Sequence, residues 1–166
     1  LRRSFTVFGV RFDVCKFLSV AQKEQALIRW EAVSVDGKTH QVRIDSIIDA
    51  DVKNEDSNYE EKFWQVLDKG VSDDRSYIAT QTVANPFGVE QFIVNAEQTF
   101  ASSFKALGGS QTDWQVSNSF EAEVGGTPET FEKRVIVTTS RDYQGLEAVK
   151  ATGRALSEKI AGVAVD

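Results

Sequence analysis

The chain has 166 residues, 41% of them hydrophobic, which is enough apolar material for one domain with a buried core. Its 25 acidic and 19 basic residues give a net charge of −6, which argues against a nucleic-acid partner, because phosphates are bound by Lys and Arg. No apolar run approaches the roughly 20 residues that a membrane span needs, and the single cysteine, Cys15, excludes an intrachain disulfide. We therefore expect a soluble cytoplasmic protein that meets a neutral ligand or a protein surface.

Apolar residues recur mainly with a period of two, the pattern of strands with one buried face. In the clearest example, Ile28, Trp30 and Ala32 alternate with Arg29 and Glu31. In chain order, the predicted strands cover residues 5–7, 11–20, 28–32, 41–48, 76–83, 90–100, 114–117 and 131–139. The turns predicted between them are Asp36-Gly37, Asn85-Pro86-Phe87-Gly88, Gly108-Gly109 and Gly125-Gly126. Many short strands with few helices between them predict a mainly β protein, an antiparallel β-sandwich.

Two segments depart from this pattern. Residues 51–59 are polar and irregular, and they run into residues 60–67, for which we predict a short helical turn. The C-terminal segment has helical spacing, which predicts one amphipathic helix over residues 146–161 with Leu156 buried on the sandwich. The apolar stripe consists of Leu146, Val149, Gly153, Leu156 and Ile160. We see no repeat and no linker, so residues 1–166 are expected to form a single domain.

The segment between strands combines acids with aromatic residues. A carboxyl group here would suit the general acid of a glycosidic reaction, but a solvated acidic loop is the commoner arrangement. The neighbouring aromatics favour a docking surface, although their spacing also suits packing on the sandwich, and we give these two interpretations equal weight. The acids are Asp49, Asp51, Glu55, Asp56, Glu60 and Glu61. The docking candidates are Asn54, Glu55, Asp56, Tyr59, Phe63 and Trp64.

Other motifs are rejected on chemistry. Asp49, Asp51 and Glu60 have the spacing of a calcium-binding loop, but Lys53 and Asn54 stand where an oxygen ligand and a turn glycine are needed. The glycine pairs are not followed by Lys-Ser or Lys-Thr, so a phosphate-binding loop is excluded. We therefore predict no metal site in this segment and no phosphate cradle.

His40 is the only histidine. With Cys15 it cannot make a zinc site, which usually takes four such ligands. A serine or cysteine triad would need His40 as its base, but its position after the turn at residues 36–38 indicates a partly exposed residue of an edge strand. We therefore predict a structural position for His40.

Four stretches carry a resemblance to a known family. They read KFLSVAQ at 16–22, IDADVKNEDSNYEEKFW at 48–64, NPFG at 85–88 and EKRVIVTTSRDY at 132–143. In order and spacing they resemble the maltose phosphorylases of glycoside hydrolase family 65, and the resemblance covers essentially the whole chain. It implies a large, galactose-mutarotase-like β-sandwich, of which this chain holds an incomplete part. A chain that begins at Leu1 and contains no methionine is also expected to be a piece of a longer protein.

The resemblance also implies a function for the parent enzyme. Such bacterial cytoplasmic enzymes split maltose, or a related α-glucoside such as trehalose, kojibiose or nigerose, with inorganic phosphate. The reaction inverts the anomeric centre, is a glycosyltransferase-type reaction and involves no metal or organic cofactor. Its catalytic glutamic acid and phosphate site lie in a following helical barrel, so no residue of this chain is expected to be catalytic and the chain alone is predicted to be inactive.

The implied partners are that barrel, in the same polypeptide, and a second subunit in a homodimer. The alternative is a free-standing carbohydrate-binding β-sandwich, in which Trp64 or Trp114 would stack on sugar rings.

Overall fold

The computed structural model describes residues 1–52 and 62–161, which form ten strands and one helix. The strands are β1 (Arg2–Val7), β2 (Val10–Leu18), β3 (Gln25–Ser34), β4 (His40–Asp49), β5 (Trp64–Val71), β6 (Arg75–Thr82), β7 (Ile93–Ser102), β8 (Lys105–Gln111), β9 (Gln115–Val124) and β10 (Glu129–Thr139), and the helix is α1 (Gly145–Ala161). They build a seven-stranded sheet, β1-β2-β3-β10-β7-β6-β5, and a three-stranded sheet, β4-β9-β8. The predicted antiparallel β-sandwich with one C-terminal helix is confirmed.

The last strand in the chain lies in the middle of the larger sheet. Strand β10 pairs with β3 on one side and with β7 on the other, both antiparallel. The remaining six strands form two meanders, β1-β2-β3 and β5-β6-β7, in which each strand pairs with the next. Strand β10 therefore joins two halves that are separate in sequence.

The first hairpin has a tight two-residue turn. Val7 pairs with Val10, and the two residues between them have positive φ angles, 48° at Phe8 and 80° at Gly9. Two successive positive φ angles define the type I′ turn, whose twist matches that of the paired strands. Gly9 suits this position because an added Cβ would lie 2.4 Å from the Asp36 carboxylate.

The core lies between the sheets and is mainly aromatic. Phe131 of β10 is 2% exposed and sits at its centre, with ring centroids 5.0 Å from Phe120 and 5.7 Å from Phe100. Polar contacts also join the sheets: the buried Ser46 hydroxyl of β4 donates to the Gln98 side-chain oxygen of β7 at 2.9 Å. The buried part of this cluster consists of Val10, Ala32, Phe104, Phe120, Val124 and Phe131.

Helix α1 packs on β7 and β10, on the other face of the larger sheet. This sheet face is polar, and the Thr138 hydroxyl donates to the Val149 carbonyl oxygen at 2.9 Å. Small side chains let the helix approach, and a Cβ on Gly153 would lie 2.7 Å from the Asn95 side-chain nitrogen. The buried residues of α1 are Val149, Gly153, Ser157 and Ile160. The helix prediction is confirmed, but Leu156 is only half-buried, because the stripe that faces the sheet runs through Gly153 and Ser157.

The helix face yields a stability prediction. Val149→Ala is expected to lower the free energy of unfolding by about 1–2 kcal/mol, because it removes two carbons from a fully buried side chain. Leu156→Ala removes a larger side chain from a half-buried position and should cost less. Urea denaturation followed by circular dichroism measures both changes. A larger loss in the Leu156 variant would show that the helix face is wrongly assigned.

Besides the burial of Leu156, two predictions about the chain were wrong. The helical turn over residues 60–67 is replaced, from Trp64 onward, by β5, because Trp64 and its successors pair with β6. The turn at Gly108-Gly109 instead lies inside β8, next to an irregularity in the β8–β9 register at Ala106 and Gly108. The φ of Gly108 is 108°, a conformation that favours glycine.

Candidate functional site

The four stretches that carry the family resemblance contribute to the same end of the sandwich. We call this region the loop end and define it by the segments that adjoin the strands there. They are residues 19–24, 50–52, 62–63, 83–92, 112–114 and 140–144, the last of which leads from β10 to α1. Backbone hydrogen bonds hold these connections together. The Ser140 N–H donates to the Ile93 carbonyl oxygen at 2.9 Å, and the Val83 N–H donates to the Phe63 carbonyl oxygen at 2.9 Å. The fold therefore brings together segments that are distant in sequence, the most widely separated being residues 19–24 and 140–144.

Two polar contacts link the β2–β3 loop to the segment before α1. The Lys23 ammonium lies 2.6 Å from the Asp142 carboxylate, and the Tyr143 hydroxyl donates to the Glu24 carboxylate at 2.9 Å. Burial would raise the pKa of Glu24, but hydrogen bonds from Tyr143, the Glu24 backbone and Gln22 outweigh it and lower the pKa. Glu24 is therefore an ionised structural anchor of the loop end.

Trp64 and Phe63, the two docking candidates in the described residues, lie where the acidic segment returns to the sheet. Trp64 is half-buried, and its ring meets that of Phe92 edge-on, with centroids 5.5 Å apart. The Arg141 guanidinium lies 5.5 Å from the centroid of the same Phe92 ring. Trp64 also lines a cavity of about 290 Å³ beside Ile78 of the core. Phe63 is half-buried as well.

The acidic segment is anchored at its base. Lys62 forms an ion pair with Asp51 at 3.3 Å, and its ammonium lies 3.7 Å from the centroid of the Trp114 ring. The Asp51 N–H donates to the Asp49 carboxylate at 2.8 Å, and Gln115 donates to the same carboxylate at 2.7 Å. The other docking candidates, Asn54, Glu55, Asp56 and Tyr59, lie outside the described residues.

The loop end also exposes apolar side chains that the sequence interpretation missed. Phe87 is 86% exposed and Val20 is fully exposed. The Asn85 side-chain oxygen accepts hydrogen bonds from the backbone N–H groups of Phe87 and Val89, which fixes the turn with Phe87 at its tip. The sequence signal that could have identified this exposed surface is the phenylalanine within the NPFG turn motif at residues 85–88. The exposed large apolar residues of the loop end are Val20, Val52, Phe87 and Val89, and Leu18 at the end of β2 adjoins them.

The acids at the loop end take part in contacts within the fold. Among residues 1–52 and 62–161, no group of three or more His, Cys, Asp or Glu side chains is placed to hold a metal ion. No helix in these ranges is long and apolar enough to cross a membrane. Four carboxylates form hydrogen bonds or ion pairs with a neighbouring loop or strand: Glu24, Asp49, Asp51 and Asp142.

His40 lies at the opposite end of the sandwich. It is half-buried at the start of β4, an edge strand of the smaller sheet, as predicted. Its Nε2 is 2.8 Å from the Asp36 carboxylate. Hydrogen bonds from His40, the Lys38 N–H and the Ser34 hydroxyl lower the pKa of Asp36 to about 2. This arrangement orders the β3–β4 turn.

The turn should make stability depend on pH. Because the folded-state pKa of Asp36 lies below its ordinary value of 3.8, its contribution is present above about pH 4 and is lost as the pH falls towards 2. Asp36→Asn should reduce the decrease in urea midpoint between pH 4 and pH 2. The comparison is with Asp113→Asn, which changes an exposed acid in the connection between β8 and β9. Equal slopes for the Asp36 variant and the unmodified chain would contradict this assignment.

The two antiparallel sheets and the C-terminal helix define a β-sandwich domain. The chain belongs to glycosyl hydrolase family 65: residues 1–164 match the family's N-terminal domain. It is 35% identical over 170 residues to maltose phosphorylase from Bacillus subtilis (strain 168), a match that covers 96% of this chain and 21% of the relative. The chain therefore spans about a fifth of that relative's length.

A solved structure has the same fold. A chain provisionally assigned as a kojibiose phosphorylase from the human microbiome superposes with a TM-score of 0.82 at 11% identity, covering 98% of this chain and 21% of the other. At this identity the similarity establishes the fold alone.

Proposed function

We propose that this chain is a non-catalytic scaffold and docking part of an inverting disaccharide phosphorylase that converts maltose and phosphate to β-glucose 1-phosphate and glucose. The observation that carries the proposal is the 35% identity to a maltose phosphorylase along 96% of the chain. The reaction is a glycosyl transfer to phosphate in the cytoplasm, and we propose no metal or organic cofactor for it.

The described acids of the loop end already form ion pairs or hydrogen bonds within the fold, which supports a non-catalytic role for this chain. A general acid must reach the glycosidic oxygen of a bound substrate. In the loop end, Glu24 is held by Tyr143, and Asp142 is held by Lys23. Asp51 is held by Lys62. These carboxylates brace the loops, so we place the catalytic acid and the phosphate site in the helical barrel of the longer polypeptide.

The loop end is the surface proposed to dock on that barrel, or on the second subunit of a homodimer. Its exposed apolar side chains offer area that a partner would bury, and Phe87 and Val20 project furthest into solvent. Asn54, Glu55, Asp56, Tyr59, Phe63 and Trp64 remain docking candidates. The alternative, a free-standing sugar-binding module, would need open ring faces, but one face of Trp114 carries the Lys62 ammonium.

Activity measurements test the proposal. The full-length enzyme is expected to release glucose 1-phosphate from maltose and phosphate, and the 166-residue chain is expected to release none. Trehalose, kojibiose and nigerose serve as competing substrates. Glucose 1-phosphate formed by the purified chain would contradict the scaffold role, and a preference of the full-length enzyme for another disaccharide would contradict maltose as the substrate.

The docking surface has its own test. In the full-length enzyme, Phe87→Ala should weaken the free energy of docking by about 1–3 kcal/mol, the range of interface anchors, and this loss is measured through activity or assembly. The free energy of unfolding of the 166-residue chain should change by less than about 0.5 kcal/mol. Trp64→Ala is the companion variant, because Trp64 also packs on Phe92. Equal destabilisation of chain and enzyme by Trp64→Ala would assign Trp64 to packing. Full activity and assembly of the Phe87 variant would exclude that side chain from the interface.

A further inference from the structure

A polar cavity lies between the C-terminal half of α1 and the face of the larger sheet on which the helix packs. Its volume is about 430 Å³, within the range of about 300–1,000 Å³ that small-molecule sites occupy. Strands β6, β7 and β10 form its floor, and the helix forms one wall. The described residues that line it are mostly charged or carry a hydroxyl group. This lining suits a polar molecule.

The floor of the cavity carries a row of polar side chains on three neighbouring strands. In the register of the sheet, Thr99 of β7 lies opposite Arg75 of β6 on one side and opposite Arg134 of β10 on the other. Arg75 donates two hydrogen bonds to the Glu97 carboxylate, at 2.7 and 2.9 Å. Arg134 donates to the Glu132 carboxylate at 2.6 Å. The positions of both guanidinium groups are therefore fixed before anything binds.

Two hydroxyl groups beside this row have no hydrogen-bond partner among the described residues. Ser157 of α1 is only 3% exposed, and its Oγ atom is buried, as is the Oγ1 atom of Thr99. A serine within a helix commonly donates to the carbonyl oxygen of the preceding turn, but within the described chain Ser157 makes no such bond. An unpaired buried hydroxyl destabilises a fold, so a bound molecule that hydrogen-bonds to both groups would offset this cost.

The outer wall of the cavity is weakly held. Arg154 and Glu158 lie one turn apart on α1 and form an ion pair at 2.8 Å, with side chains 64% and 66% exposed. An exposed pair of this kind contributes little to stability. These two side chains can therefore move at low cost when a molecule enters and reaches the hydroxyl groups.

The charges around the cavity favour a neutral ligand. Each guanidinium group in the described lining is already paired with a carboxylate. An anion would compete with these carboxylates and would also meet the charge of Asp74. A ligand hydroxyl accepts from a guanidinium and donates to a carboxylate, so a molecule with several hydroxyls contacts both without breaking the pairs. The pairs are Arg75 with Glu97, Arg134 with Glu132 and Arg154 with Glu158.

We infer that this cavity binds a small neutral molecule with several hydroxyl groups, of monosaccharide size, and that Thr99 and Ser157 hydrogen-bond to it. Helix α1 begins beside the loop end and the cavity lies towards its other end, so this site is separate from the docking surface. The inference does not depend on the proposed function, because the groups that carry it belong to the fold of this chain. An enzyme inactive on all four disaccharides would leave it intact.

Titration of the 166-residue chain with glucose tests the inference, with backbone amide shifts followed by nuclear magnetic resonance. The shifts should concentrate at Arg75, Thr99, Arg134 and Ser157 and should saturate in the millimolar range. Inorganic phosphate should give no saturable shift at these residues. The absence of a saturable shift with glucose up to about 100 mM, enough to fill a millimolar site, would overturn the inference. Tighter binding of phosphate than of glucose at the same residues would overturn it as well.

Ser157→Ala and Thr99→Val separate binding from folding. Each removes one hydroxyl and should weaken glucose binding about fivefold, the equivalent of one hydrogen bond. Neither should lower the melting temperature, because in the described fold the lost hydroxyl has no partner. Ser4→Ala is the matched control, since it changes an exposed serine of β1, at one edge of the larger sheet. Unchanged glucose affinity in both variants, or a lower melting temperature of Ser157→Ala, would overturn the role of these hydroxyls.

Discussion

Phe131→Ala is expected to lower the free energy of unfolding by about 3–5 kcal/mol, the range for emptying a buried phenylalanine site. Phe131 is 2% exposed and contacts the rings of Phe100, Phe104 and Phe120, which belong to three different strands or their connections. Both sheets contribute to this cluster, so neither can close the cavity alone. Because small domains have total stabilities of only about 5–15 kcal/mol, the variant should be close to unfolding at room temperature.

Urea denaturation monitored by fluorescence and by circular dichroism provides the measurement. Phe87→Ala is the matched control, because it removes the same side chain from an 86% exposed position and should change stability by less than about 0.5 kcal/mol. A cost below about 1 kcal/mol at Phe131 would show that the two sheets do not depend on this cluster.

Gly109→Ala is expected to cost about 2 kcal/mol, which is within the range for overpacking. A Cβ at this position would lie 1.9 Å from the Val71 Cγ1 of β5 and 3.1 Å from the Ser117 carbonyl oxygen of β9. The Val71 side chain can rotate away, but the β9 backbone is fixed by its pairing with β4 and β8. The substitution should therefore push β8 away from β5 and loosen that edge of the sandwich.

Gly126→Ala is the control, since a Cβ there meets nothing within 4 Å. Its stability should be unchanged or slightly raised, because alanine has less conformational entropy than glycine in the unfolded chain. Thermal and urea midpoints compare the two variants. Equal stability of both would show that β8 does not pack closely on β5.

The regular part of the fold was predictable because its strands are half-buried. Alternation identified eight of the ten strands, and helical spacing identified α1. Strand β8 left no such pattern, since nearly all of its side chains are exposed and its two glycines resemble a turn. Trp64 was assigned to a helical turn from aromatic spacing alone, whereas pairing with Thr82 of β6 makes it the start of a strand. Edge strands such as β5 and β8 are defined by pairing with a neighbouring strand, and the period of apolar residues in the sequence does not reveal that pairing.

The candidate site was predictable in its parts but not in its assembly. The segment containing Trp64 was singled out for its acids and aromatics; of its two described candidates, Phe63 lies in the loop end and Trp64 is the adjacent first residue of β5. The convergence of the β2–β3 loop, the NPFG turn and the segment before α1 depends on the strand order, with β10 between β3 and β7. The role of Asn85 in exposing Phe87 depends on side-chain hydrogen bonds that a sequence pattern does not reveal.

The central position of β10 sets an order on folding during synthesis. The two meanders, β1-β2-β3 and β5-β6-β7, are complete before residue 103 is made, but each keeps an open edge until Glu129–Thr139 leaves the ribosome. Pairing of β10 with β3 closes a loop of about a hundred residues, the kind of long-range contact that slows folding. A nascent chain that stops before β10 therefore carries two unjoined half-sheets, and their exposed edges are templates for association between chains.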